Sequence, residues 1–256
     1  MEQRKILPYL NFIVLLATLG VNYAANALPL NNQTTGEISD RFKVLFKPAG
    51  YAFSIWGLIY LGLLLFSIYQ LLPQQRKSDL IDKLGLFFIL SCFANMSWIL
   101  DWHYELFTFS VIVIIILLFS LIKIYLNLRI GVAKVSVKEK WLIHQPFSLY
   151  LGWISVATMV NITVYLDWLN LNGFGFSPVL WFVLMSLIGL ALSFYISLTR
   201  KDYIFNLVIF WAYIAIAVQN AGVAVVSTIS LITSGVALLP VIVSFGLPLT
   251  FGSKRV

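Results

Sequence analysis

The chain has 256 residues, of which 61% are hydrophobic and 11% are charged. A soluble domain carries about 25% charged residues, so this composition excludes an ordinary soluble protein and predicts that the main partner is the lipid bilayer. The net charge of +7 does not indicate nucleic-acid binding, because the basic residues lie in loops between apolar runs.

Eight apolar runs follow one another along the chain, each near the roughly 20 residues that cross a bilayer. The predicted spans are 6–28, 51–72, 82–102, 106–128, 142–167, 178–199, 203–220 and 224–248. Only an uncharged stretch separates the last two spans, so a single merged span is the alternative. The sequence therefore predicts an all-α integral membrane protein with multiple passes.

The basic residues predict the orientation of these spans. Of the 17 Lys and Arg residues, only Arg41, Lys43 and Lys47 fall on the side of the first loop, opposite the N-terminus. Because basic loops stay in the cytoplasm, we expect both termini to be cytoplasmic, in the plasma membrane of a bacterium. A merged last span would move Lys254 and Arg255 to the outer side and weaken this asymmetry.

The first span also fits a signal peptide, because Ala25, Asn26 and Ala27 form a small-residue cleavage pattern. Its apolar run is longer than the usual signal core of about 7–15 residues. We therefore expect the span to be retained, with cleavage as the alternative.

The loop 29–49 is the longest outer segment. Thr34 and Glu37 have the spacing of a capping box, in which each side chain bonds the other residue's backbone N–H. The loop is therefore predicted to form a short helix that lies over the outer end of the bundle as a lid.

Three spans carry aromatic or amide side chains at helical spacing, and at a rise of 1.5 Å per residue these stripes lie at similar depth under the lid. Their members are Phe53, Trp56 and Tyr60 in the second span, Ser91, Asn95, Trp98 and Trp102 in the third, and Tyr150, Trp153, Ala157 and Asn161 in the fifth. Such stripes either pack between helices or line a cavity for a flat apolar ligand.

The polar members of these stripes leave the same choice open. Asn95 and Asn161 need hydrogen-bond partners in hydrocarbon, which either neighbouring helices or a ligand supply. The tryptophans divide by depth, since span ends favour an interface belt and mid-span positions favour a ligand wall. Belt positions are predicted for Trp102, Trp141, Trp168 and Trp181, and ligand-wall positions for Trp56, Trp153 and Trp211.

No pattern in the chain indicates catalysis, so we assign no catalytic residue and no metal ligand. The histidines His103 and His144 are predicted on opposite sides of the membrane and so do not share a metal. The acidic residues near the spans fall at span ends, whereas a proton-coupled pump usually places an ionisable group at depth.

The three stripes resemble the TspO/MBR family, also called tryptophan-rich sensory proteins or translocator proteins. The matching residues are Pro48, Tyr51, Phe53, Trp56, Ile59 and Tyr60; Asn95 and Trp98; and Tyr150, Trp153, Ala157, Thr158 and Asn161. Two positions depart from the family pattern: Pro48-Ala49-Gly50 replaces its W-x-P-P, and Leu149 replaces a proline. The resemblance covers about residues 6–170, so residues 1–170 are predicted as a five-span unit and 171–256 as a three-span extension without a counterpart in the five-span family.

The resemblance implies a five-helix bundle with a pocket that opens toward the first loop. It also implies a membrane-embedded binding protein or sensor for a tetrapyrrole such as porphyrin or haem, involved in transport in some members and requiring no cofactor. The ligand-binding residues would be Phe53, Trp56, Tyr60, Asn95, Trp98, Trp153, Ala157 and Asn161.

Two other functions remain open: a small-molecule transporter, with spans 6–8 completing a permeation path, and an enzyme that degrades a tetrapyrrole. The oligomeric state also remains open, with a homodimer among the alternatives.

Overall fold

The computed structural model describes residues 3–28, 30–75 and 78–246. It contains eight long helices: α1 (Gln3–Ala27), α2 (Ile55–Gln70), α3 (Phe87–His103), α4 (Phe107–Asn127), α5 (Gln145–Trp168), α6 (Pro178–Arg200), α7 (Tyr203–Gln219) and α8 (Ala224–Gly246). The predicted all-α fold class is confirmed, and the predicted spans agree with these helices to within a few residues. The end of the last predicted span, 247–248, and the basic residues Arg76, Lys77, Lys254 and Arg255 lie outside the described residues.

Hydropathy shows that the chain is a multi-pass integral membrane protein. Six helical segments of the described residues are long and apolar enough to cross a bilayer: Ile6–Ala27, Gly50–Gln70, Phe107–Asn127, Val137–Trp168, Pro178–Arg200 and Ala224–Ile242. The other two long helices, α3 and α7, have 17 residues each. A turn at 220–223 separates α7 from α8, so the alternative of one merged span is wrong.

The first five helices form a closed ring. Along the ring, α1 contacts α3, α3 contacts α4, α4 contacts α5, α5 contacts α2, and α2 returns to α1. Outside the ring, α7 packs against α5, while α6 and α8 pack against α7 and each other. The division of the chain at residue 170 stays a prediction.

Helix α5 is the centre of the molecule. Of the most apolar window in the segment Val137–Trp168, 78% is buried inside the protein, compared with 28% to 39% for the other five segments. A helix that is apolar on all sides is suited to such burial. Close packing against α7 also depends on Gly152, because a Cβ there would lie 3.0 Å from Cβ of Val208.

The two ends of the bundle differ in their connections. At the lid end, residues 30–54 join α1 to α2 and contain a short helix, Thr35–Asp40, which we call the lid helix. At the opposite end, which we call the basic end, the loop after α4 meets the connection between α6 and α7. Gly131 has a φ of +80°, and a Cβ there would clash with the backbone carbonyl of Arg200.

We therefore expect Gly131→Ala to destabilise the protein. The left-handed backbone costs an alanine about 1–2 kcal/mol and the steric clash adds a similar amount, so the free energy of unfolding falls by about 2–4 kcal/mol. Thermal melting of the detergent-solubilised protein measures this loss. Gly20→Ala is the control, since a Cβ at Gly20 meets no atom within 4 Å; equal melting temperatures of the two variants would contradict the expectation.

Candidate functional site: an aromatic cavity beneath the lid

The lid helix begins with the predicted capping box. The hydroxyl of Thr34 accepts a hydrogen bond from the backbone N–H of Glu37 at 3.3 Å, and Oε2 of Glu37 accepts from the backbone N–H of Thr34 at 2.7 Å. These bonds stabilise the ionised carboxylate, so the pKa of Glu37 lies below its usual value. The prediction of a short helix in this loop is confirmed.

The lid helix is fixed to the end of α3. The indole N–H of Trp102 donates to the backbone carbonyl of Thr35 at 3.2 Å, and the hydroxyl of Thr35 lies 3.1 Å from Nε2 of His103. Inside the lid, the buried ammonium of Lys47 donates to the backbone carbonyls of Ser39 and Phe42. These contacts hold the lid closed over the ring.

A cavity lies directly beneath the lid, between α2, α3 and α5. Its walls are predominantly aromatic and aliphatic: Ser39, Pro48, Phe53, Trp56, Trp98, Trp102, Trp153, Val156, Ala157, Val160 and Asn161. Its free volume is about 20 Å³, which is room for one water molecule. In this closed state the aromatic side chains themselves fill most of the space between the helices.

The aromatic rings of this wall contact one another in series. Trp56 stacks on Tyr60 with ring centroids 5.2 Å apart, and it lies 6.4 Å from Trp98. Trp98 in turn stacks on Trp102 at 5.7 Å, four residues further along α3. The flat faces therefore follow one another from the middle of the bundle to the lid, an arrangement suited to a flat apolar molecule.

Six of the eight predicted site residues line this cavity: Phe53, Trp56, Trp98, Trp153, Ala157 and Asn161. The other two lie elsewhere. Tyr60 faces a second cavity of about 290 Å³ on the α1 side of Trp56, and the side chains of Phe53 and Trp56 separate the two cavities. Asn95 is completely buried between helices and lines neither cavity.

The amides of Asn95 and Asn161 both connect helices. Oδ1 of Asn95 accepts from Asn22 in α1 at 2.7 Å, and its Nδ2 donates to the hydroxyl of Tyr150 in α5 at 3.0 Å. Oδ1 of Asn161 accepts from the indole of Trp98 at 2.9 Å, and its Nδ2 donates to Ser110 in α4 at 3.0 Å. Of the two roles that the sequence left open, these bonds are those of interhelical links.

Two polar groups of the cavity wall lack a hydrogen-bond partner among the described residues: the hydroxyl of Ser39 and the indole N–H of Trp153. Trp153 is only 2% exposed, so solvent does not supply a partner for its indole N–H, which has no hydrogen bond among the described residues. An unpaired buried donor costs about 1–3 kcal/mol. A ligand with a hydrogen-bond acceptor would remove this cost.

Five residues of the cavity wall were not among the predicted site residues: Ser39, Pro48, Trp102, Val156 and Val160. The belt prediction for Trp102 is wrong, because the lid covers the end of α3 and leaves that side chain only 3% exposed. Its position four residues after Trp98 was the available signal, since such residues stack on one helix face. By contrast, Trp141 and Trp168 are 59% and 46% exposed.

Helix α7 and the residue that follows it also form hydrogen bonds with residues 30–54, which we call the lid segment. No local sequence pattern indicated these bonds. Three hydrogen bonds join them: the backbone N–H of Ala49 to the carbonyl of Ala215 at 3.1 Å, Nδ2 of Asn220 to the carbonyl of Leu45 at 3.0 Å, and the indole N–H of Trp211 to the carbonyl of Ala52 at 3.2 Å. The lid is thus held from α3 on one side and from α7 on the other.

The fold and the cavity together define a polytopic α-helical membrane protein with an aromatic cavity under a lid. Residues 8–243 match the family described as TSPO-like protein, and the chain belongs to this family. The match extends beyond the five-helix ring and includes α6, α7 and most of α8. No curated protein matches the chain, and no solved structure matches it.

Removal of the Asn161 amide tests its structural role. We expect Asn161→Ala to lower the free energy of unfolding by about 1–2 kcal/mol, because two interhelical hydrogen bonds are lost and the indole of Trp98 is left unpaired. Thr158→Val is the control, since the Thr158 hydroxyl donates only within α5, to the carbonyl of Ile154. If thermal melting shows equal effects for both variants, the interhelical role is wrong.

Proposed function

We propose that the protein is a membrane-embedded binding protein for a flat hydrophobic ligand such as a tetrapyrrole (porphyrin or haem). One observation carries this proposal: the cavity beneath the lid is walled by stacked indole rings and is lined by Trp153, whose buried indole N–H has no partner among the described residues. Stacking supplies affinity, and the N–H bonds an acceptor atom on the ligand. Binding of this kind requires no cofactor and no catalytic group.

The orientation belongs to the same proposal. With the lid on the outer side of a bacterial plasma membrane, both termini lie in the cytoplasm. The support is the distribution of basic residues, since Arg41, Lys43 and Lys47 are the only Lys and Arg residues assigned to the lid side. The ligand would then enter from the outer side.

Ligand entry requires the lid to move. A ligand cavity usually measures about 300–1,000 Å³, whereas the closed cavity has room for only one water molecule. Since α7 bonds the lid at Leu45, Ala49 and Ala52, opening breaks some of these bonds. The affinity measured in solution is therefore lower than the affinity of the open state, by the fraction of protein that is open.

Porphyrin binding to a tryptophan variant tests the site. We expect protoporphyrin IX to quench the tryptophan fluorescence of the wild type in a saturable manner, and Trp153→Phe to weaken the affinity about 3- to 10-fold, because ring area and the N–H donor are lost. Trp141→Phe is the matched control, since Trp141 is exposed at the basic end. Quenching that does not saturate and is identical in all three proteins would overturn the proposal.

The rate of binding tests the lid. We expect Asn220→Ala to accelerate porphyrin association about 3- to 10-fold in stopped-flow quenching, because the hydrogen bond from the end of α7 to the carbonyl of Leu45 in the lid loop is lost. Asn127→Ala is the matched control: its amide also donates to a backbone carbonyl of another segment, that of Lys83, but at the basic end. Association rates equal to those of wild type in both variants would show that α7 does not limit opening.

A further inference from the structure

A polar cavity lies at the basic end, at the opposite end of the bundle from the aromatic site. It has a volume of about 330 Å³ and is built from three segments: the loop after α4, the turn Lys140–His144 that precedes α5, and the connection between α6 and α7. Each segment contributes one lysine to its wall, namely Lys134, Lys140 and Lys201. The aromatic site makes no use of these residues.

Among the described residues, the acidic groups at this cavity form no ion pair with the three lysines. The carboxylate of Asp202 is buried and accepts four hydrogen bonds: from the hydroxyls of Tyr125 and Ser148 at Oδ2, and from the backbone N–H groups of Ile204 and Phe205 at Oδ1. Nearby, Oε2 of Glu139 accepts from the backbone and the hydroxyl of Ser136. Both carboxylates are therefore engaged by uncharged donors.

The ammonium groups of the three lysines make few polar contacts. The ammonium of Lys140 lies over the ring of Tyr203, 5.2 Å from its centroid, which directs it to the cavity wall without removing its charge. In the part of the chain that the structure describes, the side chains of Lys134 and Lys201 have no hydrogen bond or ion pair. Lys134, Lys140 and Lys201 together carry more positive charge than the one carboxylate in the wall, that of Asp202, so a phosphate between them would be attracted to the cavity.

The backbone holds these segments in an uncommon arrangement. The turn Lys140–His144 is π-helical, and Lys201 has a left-handed φ of 53°. Gly131 permits the loop after α4 to approach the carbonyl of Arg200 closely. Conformations of this kind cost free energy and occur often at functional sites. Here they bring Lys201 to the same cavity as Lys134 and Lys140, more than 60 residues earlier in the sequence.

The depth of the cavity matches that of lipid headgroups. Trp141, within the π-helical turn, is 59% exposed at the end of a membrane span, where tryptophan marks the interface. The adjacent Lys140 is a wall residue of the cavity. Basic pockets between transmembrane helices at the cytoplasmic side bind anionic headgroups through their phosphate.

We propose that this cavity binds a phosphate group through Lys134, Lys140 and Lys201. The phosphate comes either from the headgroup of an anionic phospholipid or from a soluble phosphate. In both cases the bound anion links the loop after α4 to the α6–α7 connection, and so joins the five-helix ring to the C-terminal helices. This site is independent of the proposed porphyrin site.

Lipid binding to the full-length protein tests the proposal. In native mass spectrometry from detergent, we expect phosphatidylglycerol to bind the wild type in a saturable manner and more tightly than phosphatidylcholine. In the cavity variant K134Q/K140Q/K201Q, we expect the affinity for phosphatidylglycerol to fall at least about tenfold, because each lysine near an anionic group contributes to binding. Inorganic phosphate, added during thermal melting of both proteins, forms the second arm.

The matched control is K83Q/K123Q/K138Q, which removes the same charge at the same end of the bundle but spares the cavity. Loss of phosphatidylglycerol binding in the cavity variant alone identifies a headgroup site, and loss of phosphate-induced stabilisation in that variant alone identifies a soluble phosphate. Equal losses in the two triple variants, or no binding of either probe to wild type, would overturn the proposal. If the cavity variant does not fold, Lys201→Gln replaces it, with an expected weakening of about fivefold; unchanged affinity would count against the site.

Discussion

Polar groups buried in lipid must find partners inside the protein, and this constraint determines how the ring of helices is assembled. The amide of Asn95 joins α3 to α1 and α5, and the amide of Asn161 joins α5 to α3 and α4. With two amides placed on facing helices, the relative depth of four helices is fixed. The aromatic wall depends on that register, because it places Trp98 of α3 beside Asn161 of α5.

The closed cavity and the fixed ring together explain what the lid does. The amide links hold α3 and α5, two walls of the cavity, together. In the proposed function, room for a ligand therefore comes from movement of the segment above them. That segment is bonded to α3 through Trp102 and to α7 through Asn220 and Trp211. The C-terminal helices thus contribute to the aromatic site from outside the ring, which agrees with a family match that includes them.

The same helices contribute at the opposite end of the molecule. Asp202, at the start of α7, bonds Tyr125 of α4 and Ser148 of α5, so the extension is attached to the ring by a buried carboxylate. Helix α7 is therefore fixed at both ends and packs against α5 between them.

The helices and their aromatic faces could be predicted from the sequence alone. Apolar run length predicted the spans, the capping pair Thr34–Glu37 predicted the lid helix, and the spacing of Phe53, Trp56 and Tyr60 predicted one aromatic face. These features depend on residues a few positions apart, for which helix geometry is sufficient. Six of the eight site residues that the family resemblance implied line the cavity.

The contacts that these faces make became known only from the tertiary structure. Asn95 bonds neighbouring helices instead of lining the cavity, Trp102 is covered by the lid instead of facing the membrane interface, and α7 holds the lid through Asn220. Each of these outcomes depends on which distant segment arrives opposite a given side chain. Local spacing carries no information about that pairing, because the partner is selected by the packing of whole helices.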